Sequence, residues 1–128
     1  MAIATRLFIT LFVASVLLVP PREARAEAKV MIDGIGAAKC SQVTTEIKTQ
    51  RATVTHSLLG WTYGYITRRN VERALAKQSQ VDMPALKVGD QQLLSVMLSF
   101  CEKEPDTYIF QVVDALYQVL LEKGALTT

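Results

Sequence analysis

Apolar residues recur at intervals of three and four over most of this chain, the spacing of a buried helix face. The densest case is Leu58-Leu59-Gly60-Trp61-Thr62-Tyr63-Gly64-Tyr65-Ile66-Thr67-Arg68-Arg69-Asn70, which holds the only Trp and two of the four Tyr. Val54, Leu58, Trp61 and Tyr65 share one side of a helix predicted over roughly 53–76, giving it an apolar, strongly aromatic face. Gly60 and Gly64 occupy adjoining parts of its surface. Glycine inside a helix costs about 1 kcal/mol relative to Ala, so the pair predicts a close backbone approach or a local break. Trp61 is expected largely in the core, near the expected Cys40–Cys101 disulfide and the last helix, with Gly64 admitting the neighbouring helix.

The same pattern predicts the other elements. Cys40, Val43 and Ile47 start a short first helix, and the threonines at 44, 45, 49, 53 and 55 weaken helix formation, which places a break near Gln50. The pattern is lost from Gln78 to Gly89, where Val81-Asp82-Met83-Pro84 reads as a loop entering a short turn. Asp90 is placed to cap a helix whose buried face is Leu94, Met97, Leu98 and Cys101. Pro105 ends that segment, with Asp106 or Thr107 ready to cap the next. Phe110, Val113, Tyr117, Leu120 and Leu121 line one face of the last helix, widened by Val112, Leu116 and Val119 and closed by Gly124. Strand-like alternation of useful length is missing. The predicted fold class is all-α, a small bundle of about four helices closed by one disulfide.

The start of the chain follows a different pattern. Arg6 precedes an apolar run from Leu7 to Val19, Pro20-Pro21 ends it, and Ala24-Arg25-Ala26 has the small-x-small form of a signal-peptidase site. Its 13 residues fall short of the roughly 20 needed to span a bilayer. Residues 1–26 are therefore expected to be a cleaved leader, 27–39 an irregular arm, and 40–124 the helical domain, with no membrane span after cleavage and an exported location.

Removing the leader changes the electrostatics. The mature chain carries 11 basic and 11 acidic residues, so the formal charge of +2 belongs to the targeting segment. A nucleic-acid binder concentrates Lys and Arg on one surface. Here the single basic cluster, Arg68, Arg69 and Arg73, encloses Glu72 and reads as a solvated helix face. No nucleic-acid partner is expected. Two cysteines in an exported chain are most simply one disulfide, Cys40 with Cys101. The alternatives are a redox pair, which is usually Cys-x-x-Cys, and a metal site, which needs His or Cys partners at short spacing.

Catalytic chemistry finds little to work with. His56 is the only histidine, and Ser57 beside it points about 100° away on a helix, so the two form no dyad. Glu102, Glu104, Asp106 and Asp114 cluster about a helix junction, where negative charge suits a helix start. Calcium-loop and phosphate-loop patterns are missing. The expectation is no enzyme, no catalytic or metal-binding residue, and no cofactor.

Cys40, Gly60-Trp61-x-x-Gly64-Tyr65-Ile66-Thr67-x-x-Asn70, Phe100-Cys101-x-x-x-Pro105 and a closing Val112-Val113-x-x-Leu116 helix together resemble the HdeA/HdeB-like group of small exported bacterial proteins. Arg68-Arg69 departs from the small residues common there. The resemblance implies a periplasmic acid-stress chaperone, a homodimer at neutral pH, that opens in acid and holds unfolded clients. Leu94, Met97, Leu98, Phe110, Val113 and Leu120 would then be the apolar face offered to clients. Below about pH 3, where carboxylates are protonated, self-repulsion of the remaining positive charge loosens a compact state. Exported immunity proteins of type VI secretion systems are similar in outline, and imply instead one specific toxin as partner. An envelope structural or assembly partner is the third reading.

Overall fold

The computed structural model describes residues 32–125; the expected leader, 1–26, and the first residues of the arm lie outside the described residues. A turn of 3-10 helix, Gly34–Ala37, precedes helices α1 (Cys40–Glu46), α2 (Arg51–Leu75), α3 (Met83–Leu86), α4 (Asp90–Lys103) and α5 (Ile109–Ala125). Among the described residues there is no β-strand, only one isolated bridge between Lys39 and Tyr108. The fold is a small all-α bundle.

Local chemistry explains where the helices stop. The hydroxyls of Thr44 and Thr45 donate back to the Cys40 and Ser41 carbonyls, at 3.0 and 2.8 Å. Such back-bonding competes with helix continuation, and α1 ends at Glu46. The chain leaves α2 with Lys77 left-handed (φ 54°), the Lys77 amide on the Ala74 carbonyl and the Gln78 amide on the Arg73 carbonyl. This is the Schellman ending, built here with a lysine where glycine is usual. Asp82 caps α3, its side chain accepting from the Ala85 amide at 3.0 Å.

Two predicted caps are corrected. Gly89 is the N-cap of α4, and Asp90 is that helix's first residue, its carboxylate accepting from the Tyr63 hydroxyl at 2.5 Å. At the start of α5 the Tyr108 amide donates to Gln111 Oε1, 3.1 Å away, and Asp106 instead pairs with Lys39 Nζ at 3.2 Å. Gly124 does not end α5, which runs one residue further.

Helix α2 packs on the 3-10 turn, α1, α4 and α5, and α1 packs on α4. Its buried stripe is Val54, Leu58, Thr62 and Ile66, rotated by one position from the predicted 61/65 face. Thr62 buries its hydroxyl by donating to the Leu58 carbonyl at 2.7 Å and lying 3.4 Å from Met97 Sδ. Leu93, Leu94, Met97 and Cys101 from α4 meet Ile109, Val112, Val113, Leu116, Tyr117 and Leu120 from α5 in the same core.

Trp61 is half-buried at the edge of the core, under the 3-10 turn. The close approach expected at Gly64 is found elsewhere. A Cβ at Gly60 or Gly64 would meet nothing within 4 Å, whereas one at Gly36 would lie 2.2 Å from the Trp61 ring. The arm predicted as irregular thus contributes a glycine on which the indole rests.

Cys40 and Cys101 are joined, with sulfurs 2.06 Å apart. The α4–α5 connection is also laced to the start of α1 by main-chain bonds. Cys40 donates to the Thr107 carbonyl and Ser41 to that of Pro105, each at 2.8 Å, while Ile109 donates to Ala38 at 3.0 Å.

Candidate functional site

The residues singled out along α2 turn out to hold three different segments. Trp61 supports the 3-10 turn and stacks on Tyr65, with ring centroids 5.5 Å apart. Tyr65 sits edge-on to Tyr117 at 6.4 Å and donates its hydroxyl to Asp114 Oδ1 at 2.5 Å, tying α2 to α5. Asn70 lies one turn beyond Ile66. Its Nδ2 donates to the Val81 carbonyl at 2.8 Å and its Oδ1 accepts from the Val81 amide at 3.0 Å. That side chain imitates a strand neighbour and satisfies both main-chain groups of a residue buried outside any helix. Tyr117 adds a hydroxyl bond to the same Oδ1 at 2.9 Å.

Arg69 completes the cluster. Its guanidinium carbon is 5.5 Å from the centre of the Tyr117 ring, and its terminal nitrogens lie 3.6 Å from Glu72 and 4.0 Å from Asp114. Its Nε is enclosed with no hydrogen-bond partner. Arg68 pairs with Glu72 at 3.0 Å, and Arg73 donates through Nε to the Ser79 carbonyl. The cluster read as a solvated face is therefore only partly so: Arg68 faces solvent, while Arg69 and Arg73 hold neighbouring segments.

Burial pushes the Tyr65 hydroxyl up to about 12, reinforced by its bond to Asp114. Tyr63 is raised chiefly by its hydrogen bond to Asp90, and Tyr117 by burial. All three therefore keep their protons, and remain donors, throughout the neutral range.

Beside the Asn70–Val81 pair lies an open groove of about 470 Å³, walled by Tyr63, Ile66, Thr67, Asn70, Val81 and Met83 among others. A second hollow of about 330 Å³ runs between Arg51 and α4, past Leu94, Leu98 and Glu102. The first is also lined by Asp82, and the second by Ser95 and Ser99. His56 and Ser57 are both exposed. Among the described residues no group of three or more His, Cys, Asp or Glu is placed to hold a metal ion, and no helix is long and apolar enough to cross a membrane.

The six apolar residues expected to face clients are divided. Leu94, Met97, Val113 and Leu120 are core residues, Leu98 is half-buried against them, and Phe110 is half-buried and stacks on Tyr108. Pro105 is exposed and contributes its carbonyl to Ser41; Gly60 and Gly64 are exposed and bare. The chain finds no match among protein-family models, characterised proteins or solved structures. Val81, Asp114, Tyr117 and Gly36 carry parts of the network, and the linear pattern did not connect them to α2. The one available signal was Glu72 set within three arginines, which marks a charge cluster but not its partners on α5.

Proposed function

We propose that this chain is an exported, periplasmic holding protein of acid stress, HdeA-like in mechanism, working without a nucleotide and binding unfolded clients after it opens. The observation that carries the reading is where the apolar side chains lie and what guards them. Leu94, Met97, Val113 and Leu120 are enclosed. The helices that enclose them are tied across elements through carboxylates: Tyr63 to Asp90, Tyr65 to Asp114, and Lys39 to Asp106. Protonation removes the charge from each of these acceptors, and a charge-assisted bond is roughly twice as strong as a neutral one. The Cys40–Cys101 bond limits how far such an opened chain expands. The test uses the oxidised mature chain. At about pH 2 to 3, below the carboxylate range, it should bind a hydrophobic dye and keep an unrelated periplasmic protein soluble, and do neither at pH 7. Unchanged dye fluorescence, with clients precipitating at the control rate, would overturn the reading.

Val71 and Leu75 favour a second reading. They are 55% and 82% exposed, one turn apart on the last turns of α2, and suit a specific protein partner bound at neutral pH, as an immunity or envelope-assembly protein requires. Capture of a single partner at pH 7, abolished by Leu75→Asp, would favour it over the chaperone.

A further inference from the structure

At the C-terminal end of α2, exposed apolar and cationic side chains coincide. Val71 and Leu75 stand one turn apart, 55% and 82% exposed, and Leu75 is the barest large apolar residue among the described residues. Every residue from Ala74 to Gln80 is exposed, so Leu75 rides on a protruding tip. Lys77, with its left-handed backbone, turns the chain there and is itself exposed. Exposed apolar surface rimmed by polar groups marks a place of association.

Charge decides what such a tip fits. Over 68–77 stand four cations, Arg68, Arg69, Arg73 and Lys77, against Glu72 alone. Arg68 and Arg69 share Glu72, at 3.0 and 3.6 Å, and Arg69 reaches Asp114 of α5 at 4.0 Å. Arg73 bonds a neutral group, the Ser79 carbonyl, and Lys77 makes no ion pair among the described residues. Asp82, the next acid along the chain, is turned to the Ala85 amide. Two positive charges are therefore left over at 68–77 with Asp114 counted, on a mature chain that is neutral as a whole. A second copy of this face would meet like charge, which opposes a symmetric pairing. The exposed apolar pair on α4, Val96 and Phe100, lacks this setting, since α4 carries Asp90 and Glu102 against Lys103.

We propose that the tip of α2 docks on an anionic phospholipid surface. Val71 and Leu75 enter the boundary between headgroups and acyl chains. Arg68 and Lys77, both exposed, meet the phosphates around them, with Arg73 adding its field. Lys and Arg suit that depth, because their aliphatic stems lie along apolar surface while the charged ends reach polar groups. A bilayer accepts a convex apolar tip at any rotation about its normal, whereas a protein partner needs a matching hollow. The apolar area is small, so insertion and charge act together and the attachment to one leaflet is reversible. This docking belongs to the folded chain at neutral pH and stands apart from the chaperone reading. It competes for Leu75 with the specific-partner reading, and the test separates the two.

Vesicle flotation at pH 7 tests it on the oxidised chain 27–128, which leaves out the apolar run Leu7 to Val19. The probes are vesicles of phosphatidylglycerol and phosphatidylcholine in equal parts, and vesicles of phosphatidylcholine alone. The protein should float with the anionic vesicles at low salt and be released at about 1 M salt, where the Debye length is about 3 Å. Arg68→Gln/Lys77→Gln should weaken binding about 25-fold, roughly fivefold for each cation. Leu75→Asp should weaken it at least about tenfold, the scale of withdrawing a leucine from an apolar phase. Val96→Asp should leave it unchanged. All of these substitutions fall on exposed residues, and an unchanged helical signal checks that the variants fold. The proposal is overturned if neither vesicle is bound, if both are bound equally, or if Val96→Asp costs as much as Leu75→Asp. Absence of vesicle binding, with capture of one protein at pH 7 through Leu75, would give this face to the specific-partner reading instead.

Discussion

Three glycines of this chain predict opposite outcomes for the same substitution. Gly60 and Gly64 sit inside α2 with open space where a Cβ would be. Gly60→Ala and Gly64→Ala should each stabilise the protein by about 0.5–1 kcal/mol, through helix propensity and a less mobile unfolded chain. Gly36→Ala would press a methyl group against the Trp61 indole and should destabilise by about 1–3 kcal/mol, the range of overpacked sites. Urea midpoints at constant slope check all three. Tyr65 supplies a pH dependence. Its folded-state value is raised to about 12 from the ordinary 10.0, so its proton is held more tightly in the folded chain. The stability this contributes is complete below about pH 10 and is lost as pH rises through about 12. Tyr65→Phe should therefore flatten the decline in stability over that alkaline window while lowering stability at neutral pH.

Among the elements, α2 is decided at its C-terminal end. Lys77 holds a left-handed backbone that costs a side-chain-bearing residue roughly 1–2 kcal/mol. Lys77→Gly should accordingly raise stability by about 1 kcal/mol, seen as a higher urea midpoint with the helical signal unchanged. Asn70→Asp keeps an oxygen for the Val81 amide and removes the donor to the Val81 carbonyl. It should destabilise by about 1–3 kcal/mol, because a buried carbonyl loses its partner and a carboxylate meets it instead. Exchange of the Val81 amide is the measurement. The rest of α2 is comparatively tolerant at its polar surface, where Arg68 and Glu72 form an exposed i,i+4 pair of the kind that contributes a few tenths of a kcal/mol.

At the scale of the whole molecule the disulfide dominates. It links residues 61 positions apart, and closing a loop of that size is worth roughly 4 kcal/mol in the chain-entropy account. That approaches the entire net stability of a small domain, about 5–15 kcal/mol. The Cys40→Ala/Cys101→Ala chain should melt at least about 15 °C lower than the oxidised protein and open in acid without the restraint proposed above. Thermal melts by circular dichroism, run at pH 7 and in acid, measure both. The bridge does not act alone, because the amides of Cys40, Ser41 and Ile109 stitch the same corner. Reduction is therefore expected to loosen α1 and the α4–α5 connection before it disturbs α2 against α5.

How much of this was legible in the chain follows from which forces are local. Helix class, the break before α2, the loop from 78 and the cysteine pairing were readable. Apolar period, β-branched runs and cysteine spacing act over a few residues or through compartment alone. The turn of the α2 face was not readable, because Thr62 is polar by composition and becomes buried only by bonding to its own helix. Nor was the place of close approach. Two bare glycines inside a helix looked like the contact, while the indole rests on Gly36 in a segment with no periodicity. Asp90, Asp106 and Asp114 each looked like a cap or a surface charge, and their partners are Tyr63, Lys39 and Tyr65, far off in sequence. The chain by itself thus determined which segments become helices and which two are tied by sulfur. Only the tertiary structure decided which polar groups meet, because a hydrogen bond depends on ångström-scale placement of residues that no local pattern relates.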